Sequence, residues 1–238
     1  MKVIGVILLI VLLSACSSNK QDLSAAAPVI NKVSFSNQQA AIHYPEIMNL
    51  NNSEQAKKLN EILKRDAVQI IDYFSGNEQL NEVNTDYVSK LTGENLISVA
   101  YSGSSHVKGG AYPRSFLITT NLELTKEKKI VLKDIVRIDE EFIELFRGAK
   151  YVPYDSELIV EAEVREELSS YSNEQLIALF NESDVISDAN ELGVFTYFTK
   201  DSLGISFNVL HALGDHAEFE IAYSEFKDHL LTTAFEEK

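Results

Sequence analysis

Two apolar periodicities, arranged in blocks along the chain, most constrain its fold. In residues 53–74 apolar side chains recur every three or four positions, which predicts a long amphipathic helix capped at Asn52 or the next residue and stopped at Gly76. The period then changes to two: polar and apolar residues alternate over 85–91 and again over 97–101. With a short polar turn between them, these two runs predict an antiparallel hairpin.

The remaining segments extend this block pattern. We predict a further strand at 116–124, short helices at 132–136 and 140–146, a solvated helix at 155–168, strands at 194–199, 203–209 and 218–223, and a final helix at 225–231. Helices and antiparallel strands in separate blocks favour an α+β fold, with an antiparallel sheet and helices packed on one face. One interpretation is that residues 29–125 and 126–238 form two α+β subdomains sharing one sheet.

The N-terminal segment has the features of an export signal. Lys2 precedes an apolar run at 3–13, which ends in Leu13-Ser14-Ala15-Cys16 and is too short for a permanent transmembrane helix. This pattern predicts a signal peptide over residues 1–15 and lipid attachment at Cys16. The alternative is an ordinary signal peptide with an incidental cysteine. Residues 16–28, mostly small and polar, are expected to form a flexible lipidated tether.

Cysteine content and charge exclude several function classes. Cys16 is the only cysteine, so neither a disulfide nor a thiol site for metal or nucleophilic chemistry is available elsewhere. The formal net charge of −15 disfavours nucleic acid as a partner and attracts cationic proteins. The expected location is the cell envelope, membrane-anchored through lipid: the outer membrane or periplasmic face in a Gram-negative cell, or the outer face of the plasma membrane in a Gram-positive cell.

A short cationic stretch stands out in this acidic chain. It combines cationic or aromatic side chains with two glycines, and its candidate ligand-binding residues are His106, Lys108, Gly109, Gly110, Tyr112 and Arg114. Adjacent glycines can adopt positive φ and turn successive amides toward an anion. The alternative is that the glycines only satisfy the geometry of a turn between two strands.

Signals for catalysis are weak. His211, Asp215 and His216 are close in sequence, but they lack the one-face spacing of helical metal ligands, so surface histidines are the simpler interpretation. There is no Gly-x-Ser-x-Gly motif. We therefore predict a protein with no catalytic residues, no metal and no cofactor.

Several short motifs, in order, resemble a known family. They occur at residues 42–47, 96–99, 109–113 (Gly-Gly-Ala-Tyr-Pro), 121–124, 132–135, 204–207 and 221–226. Together they resemble the tandem domains of unknown function in the extracytoplasmic part of RsiV-type anti-sigma factors, and a similar module that precedes the catalytic domain of the peptidoglycan deacetylase PdaC. The resemblance implies an α+β binding domain that, in the anti-sigma factors, senses lysozyme directly. The family usually has histidine where this chain has Tyr112.

Three functions remain open at this point. The first is a noncatalytic envelope lipoprotein that binds a peptidoglycan fragment or another cell-wall-related ligand. The second is a protein-binding module for a cationic hydrolase such as lysozyme, and the third is an uncharacterised hydrolase. An aromatic-lined pocket would favour the first, an acidic face the second, and a buried carboxylate pair or a serine and histidine in contact the third.

Overall fold

The computed structural model describes residues 28–76, 80–153, 160–186 and 192–231. Its helices are α1 (Ser53–Ser75), α2 (Leu132–Ile135), α3 (Glu140–Arg147), α4 (Glu161–Ser169) and α5 (Asn173–Asn181). Its strands are β1 (Ile30–Ser36), β2 (Ala40–Ile47), β3 (Leu80–Thr92), β4 (Leu96–Val107), β5 (Arg114–Glu123), β6 (Lys128–Ile130), β7 (Lys150–Val152), β8 (Val194–Phe198), β9 (Ser202–Asn208) and β10 (His216–Ala222). The predicted α+β class is confirmed.

The first sheet is built from the N-terminal strands, in the order β1-β2-β3-β4-β5-β6. Neighbours are antiparallel except β2 and β3, which are parallel. Helix α1 begins where the Asn52 side chain accepts hydrogen bonds from two backbone N–H groups of its first turn, and it buries Leu59, Leu63 and Ile70 against one face of the sheet. The hydroxyl of Tyr101 on β4 donates to the Leu63 carbonyl at 3.3 Å, which ties the helix to the sheet.

The second sheet is formed by the C-terminal strands, in the order β7-β10-β9-β8, all antiparallel. Phe142 and Phe146 of α3 pack against Phe180 of α5, with ring centroids 5.9 and 4.8 Å apart. Phe146 also contacts Phe219 of β10 at 5.3 Å. These aromatic contacts place the core of the C-terminal half between its helices and the second sheet.

Buried side chains of the first sheet form hydrogen bonds with the unpaired edge of β8 in the second sheet. Strand β8 pairs with β9 on one side only. On its other edge, the Asn121 side chain donates to the Thr196 carbonyl at 2.8 Å, and the Phe198 N–H donates to the Ser98 hydroxyl at 2.8 Å. Ser98 in turn donates to Asn121 at 2.7 Å. The edge groups of β8 are thus satisfied without a further strand, and the two halves pack together.

The structure confirms the long helix and the hairpin that follows it, and corrects two expectations. The halves hold separate sheets instead of sharing one. The helix predicted at 225–231 is absent: two short 3-10 turns, Tyr223–Glu225 and Lys227–His229, take its place. Their extended continuation pairs with the segment after α2 through a bridge between Val136 and Leu230, and this backbone pairing is incompatible with a helix.

Some predictions fall on residues outside the described ranges. These are the signal peptide, the lipidation site Cys16, nearly all of the tether and part of the predicted helix at 155–168. The subdomain boundary at residue 125 stays a prediction. Among the helices in the described ranges, none is both long and apolar enough to cross a bilayer.

Candidate functional site

A cleft of about 230 Å³ lies where the two halves meet. The N-terminal half supplies the end of α1, with Tyr73 and Phe74, and the start of β5, with Arg114 and Ser115. The C-terminal half supplies side chains from α4, the segments before β8 and after β9, and the turn before β10, among them Glu167, Tyr171, Leu192, Leu210, His211 and Asp215. The cleft is therefore assembled from distant parts of the chain.

Aromatic rings anchored in the two cores form the cleft walls. Tyr73 and Phe74 meet edge to face at 5.0 Å, and Phe74 lies 5.5 Å from Phe116 of β5. On the opposite half, Tyr171 packs edge to face on Phe207 of β9 at 5.6 Å. Rings held by such contacts present fixed apolar surfaces to a ligand.

Asp215 joins the two halves beside the cleft. One carboxylate oxygen accepts a hydrogen bond from the Ser115 N–H at 2.7 Å, and the other lies 2.9 Å from Nδ1 of His211. Asp215 has φ of 68° and follows Gly214, with φ of 103°, so a left-handed turn positions this carboxylate. The Tyr112 ring stacks on His211 with centroids 6.3 Å apart and remains 71% exposed, which places it at the cleft rim.

The cleft carries unlike charges that do not pair with each other. Arg114 is exposed, and its guanidinium makes no hydrogen bond or ion pair with any residue in the described ranges. Glu167 accepts one hydrogen bond from the Leu210 N–H at 3.2 Å. Within the described part of the chain, no ion pair joins Arg114 to Glu167 or Asp215, so the guanidinium is available to a bound group.

The structure divides the candidate ligand-binding residues between two places. Arg114 lines the cleft and Tyr112 lies at its rim. His106, at the end of β4, and Lys108, Gly109 and Gly110, in the β4–β5 turn, are not among the residues that line it. Hydrogen bonds within this segment close the turn. The Gly110 N–H donates to the Val107 carbonyl, and Nε2 of His106 lies 3.1 Å from the Gly110 carbonyl.

The backbone of this turn needs only one of its two glycines. Gly109 adopts φ of 86°, whereas Gly110 stays outside the left-handed region. The hydrogen bonds within the turn and the single positive φ fit the interpretation that the glycines serve turn geometry. Sequence reasoning missed the cleft partners Glu167 and Tyr171, because nothing in the local pattern around them differs from an ordinary solvated helix end.

A second, larger cleft of about 670 Å³ is acidic. It is lined by Glu140, Glu141, Glu144, Glu225, Asp228 and His229, among other residues. Ligand atoms of Asp139, Glu141 and His229 lie within 4.8 Å of one another. However, the Arg137 guanidinium donates to Asp139 at 2.6 Å and approaches His229 at 3.4 Å, so a cation already lies beside two of these groups. Asp139 also caps α3 by accepting from the Phe142 N–H, which gives it a structural role.

One serine and histidine are in contact. The Ser34 hydroxyl and Nδ1 of His43 lie 2.8 Å apart, because the two residues face each other across β1 and β2. The pair lies on an open sheet face. The neighbouring acid, Asp86, is bonded to Lys32 at 2.7 Å, which contributes to holding the Asp86 pKa below its usual range despite the opposing effect of partial burial. Within the described ranges, no carboxylate is hydrogen-bonded to His43, so this cross-strand pair has no group there that would orient a catalytic base.

Comparisons with known proteins found likeness in structure only. No family model matches the chain. No curated protein matches it either. Two solved structures described as DUF3298 family proteins are similar to it. The one from Bacteroides fragilis is 12% identical, with a TM-score of 0.49, and the match covers 87% of this chain and 94% of that chain. The one from Pseudomonas aeruginosa is 10% identical, with a TM-score of 0.46, and covers 85% and 92%.

Proposed function

We propose that the protein is a noncatalytic, lipid-anchored module of the cell envelope that binds a cell-wall-related ligand in the cleft between its halves. The observation that carries this proposal is the combination of fixed aromatic walls with the unpaired guanidinium of Arg114. Small-molecule sites are typically apolar concavities with a few polar groups that set orientation. The cleft has this composition.

The size of the cleft suits a fragment of a larger polymer. Its volume of about 230 Å³ lies below the roughly 300 to 1,000 Å³ typical of pockets that enclose drug-sized ligands. Aromatic rings such as Tyr73 and Tyr171 offer flat surfaces to a sugar ring or an apolar side chain. A repeating cell-wall polymer presents such groups one at a time, so the cleft fits one unit while the rest of the polymer lies outside.

Isothermal titration calorimetry with purified, enzymatically released cell-wall fragments tests this proposal. The full chain in detergent should show saturable binding, and Arg114→Gln should weaken it by about tenfold, equivalent to ~1.4 kcal/mol. Lys133→Gln, which removes an exposed cation on α2, is the matched control and should bind like wild type. Absence of saturable heat with any fragment would refute the cleft as a cell-wall site.

The lipid anchor is tested separately, because it rests on the pattern that ends at Cys16. Cys16→Ala should shift the protein from the membrane fraction to a soluble or unprocessed form, since an acyl chain contributes about 0.8 kcal/mol per buried methylene. Ser17→Ala is the control and should stay in the membrane fraction. If Cys16→Ala is retained on membranes to the same extent as wild type, the anchor proposal is wrong.

The acidic cleft favours a second candidate function, binding of a cationic hydrolase such as lysozyme. Carboxylates of Glu140, Glu144 and Glu225 share this cleft, and the chain is strongly acidic. Such charges accelerate association at low salt and are screened beyond ~10 Å at 0.1 M. Surface plasmon resonance should show saturable lysozyme binding at physiological salt that Glu144→Lys weakens and Glu163→Lys does not. Attraction that vanishes at that salt would eliminate this candidate.

A further inference from the structure

Two unlike charges line the cleft between the halves, one from each half. Arg114 lies at the start of β5 in the N-terminal half, and Glu167 lies on α4 in the C-terminal half. They line the same cavity of about 230 Å³ without forming an ion pair. The two elements that carry these residues are held by separate contacts. Arg114 pairs with Ser105 of β4 in the first sheet. Helix α4 is held through Arg165, which donates to the Ala149 carbonyl at 2.9 Å.

The bonding around each charged group shows which are available to a ligand. Both carboxylate oxygens of Asp215 already have partners, one in the Ser115 N–H and the other in His211. Asp215 therefore holds the two halves together instead of binding a ligand. Glu167 uses Oε2 for the Leu210 N–H, and its Oε1 has no hydrogen-bond partner in the described ranges. The Arg114 guanidinium has none there either. One cationic and one anionic group are therefore left to meet complementary charges.

We infer that the cleft selects a short peptide that carries both a free carboxylate, held by Arg114, and a free amino group, held by Glu167. This inference rests on the proposed function and names the peptide part of the cell wall, instead of its glycan, as the ligand. A neutral sugar would displace water from both charged groups without offering either an opposite charge, and this desolvation costs free energy. A purely anionic ligand would meet Glu167 with like charge. A ligand with both charges matches each group.

The apolar surfaces of the cleft complete the match. Leu192 and Leu210 line it together with Tyr73, and Leu210 is 66% exposed. Alkyl side chains of a short peptide would cover these groups, while guanidinium binds a carboxylate with two parallel hydrogen bonds. The aliphatic surface thus accounts for affinity, and the two charges account for orientation along the cleft.

Ligand-observed NMR and calorimetry on the full chain in detergent, with three forms of one peptide, test the inference. The probes are the cell-wall stem tripeptide alanyl-γ-glutamyl-diaminopimelic acid, its form with all carboxyl groups amidated and its form with all amino groups acetylated. A neutral N-acetylglucosamine disaccharide is the glycan probe. Wild type should bind the free tripeptide at least about tenfold more tightly than either blocked form, as expected when a hydrogen bond to a charged group is lost.

The variants assign each preference to one residue. Arg114→Gln should abolish the preference for free over amidated carboxyl groups and keep the preference for free amino groups. Glu167→Gln, which retains an acceptor for the Leu210 N–H, should do the reverse. Glu163→Gln on the same helix and Lys133→Gln on α2 are matched controls that should leave both preferences unchanged.

The outcomes separate this inference from the proposed function. Equal binding of the free and blocked peptides, or an equal loss of all forms in Arg114→Gln, overturns the charge assignment. Binding of the glycan probe but not the peptide overturns the peptide class while retaining a cell-wall ligand. Failure of the peptide, the glycan and a whole cell-wall digest to bind overturns both proposals.

Discussion

The carboxylate of Asp184 holds Thr196 by two hydrogen bonds, from its backbone N–H at 2.6 Å and from its hydroxyl at 2.8 Å. The same carboxylate accepts from the Leu132 N–H at 2.9 Å and the Thr119 hydroxyl at 3.2 Å. The Asp184 side chain is completely buried, and the backbone of this residue adopts φ of 64°. One side chain therefore joins β5, the start of α2 and β8, which belong to both halves of the fold. Burial raises the Asp184 pKa above its usual range, although these hydrogen bonds oppose the rise.

Replacement of Asp184 by asparagine should destabilise the protein. Each oxygen of Asp184 accepts from one backbone N–H, of Thr196 or of Leu132, so an amide NH₂ in either orientation would face a donor. The expected loss is about 1–3 kcal/mol, the cost of a buried group left without its partner. Urea unfolding monitored by circular dichroism measures it. Asp72→Asn on the exposed face of α1 is the control, and an equally small effect of both substitutions would contradict the structural role of Asp184.

Gly204→Ala should also destabilise the fold, through overpacking. A Cβ at Gly204 would lie 2.0 Å from the ring of Tyr197. The ring cannot easily move, because its hydroxyl donates to Glu218 at 2.9 Å and the Lys90 ammonium lies 4.1 Å from its centroid. We expect a loss of about 1–3 kcal/mol in thermal or urea unfolding. Gly148→Ala is the matched control, since its Cβ would lie 3.6 Å from the Leu145 carbonyl oxygen, an ordinary van der Waals distance. Comparable midpoints for the two variants would argue against a fixed Tyr197 ring.

The parts of the fold that sequence predicts well are those with long, regular patterns. Helix α1 matches its prediction because cap, periodicity and stop all agree over 23 residues. Strands β1 and β2 were not predicted. Pro45 interrupts the β pattern of β2, and β1 is a partly exposed edge strand. The C-terminal helix was predicted wrongly because its pairing partner, Val136, is remote in sequence.

The candidate site is harder to predict because its contacts are nonlocal. The sequence predicts Arg114 and Tyr112 as ligand-binding candidates, but as parts of an anion-binding turn. The cleft where these two residues lie depends on the hydrogen bond between Ser115 and Asp215, which are 100 residues apart in sequence. No local pattern encodes that approach. From sequence alone, His211 is interpreted as a surface histidine or a metal ligand, and neither interpretation predicts its contact with Asp215.

Acidification should reduce stability through His216. Burial lowers the His216 pKa below 6.5, against the opposing charges of Glu218 and Asp215. The folded state therefore favours the neutral ring, and its stabilising contribution is full above the unfolded pKa of about 6.5. It is lost progressively as the pH falls from that value through the lower folded pKa. The free energy of unfolding, measured in urea, should fall as the pH is lowered from neutral to about pH 5.

The matched variant for this pH dependence is His216→Leu. It removes the titrating group while filling the buried position with an apolar side chain. Its unfolding free energy should depend less steeply on pH over the same interval than that of wild type, whatever its absolute stability. His106→Gln at the end of β4 serves as the control and should keep the wild-type slope. An unchanged slope in His216→Leu would assign the acid sensitivity to other groups.

The β4–β5 turn contains one glycine at positive φ. Gly109 has φ of 86°, and a Cβ built there meets no atom within 4 Å, so any cost of substitution comes from the backbone alone. Gly109→Val should destabilise by about 1–3 kcal/mol, because a β-branched residue is strained at positive φ. Gly109→Asn fills the same open space but tolerates the left-handed region. The Gly109→Asn variant should have a urea midpoint close to that of wild type. Wild-type urea midpoints in both variants would show that the turn relaxes to another conformation. Equally lowered midpoints in both would point to a contact that the open space around Gly109 does not reveal.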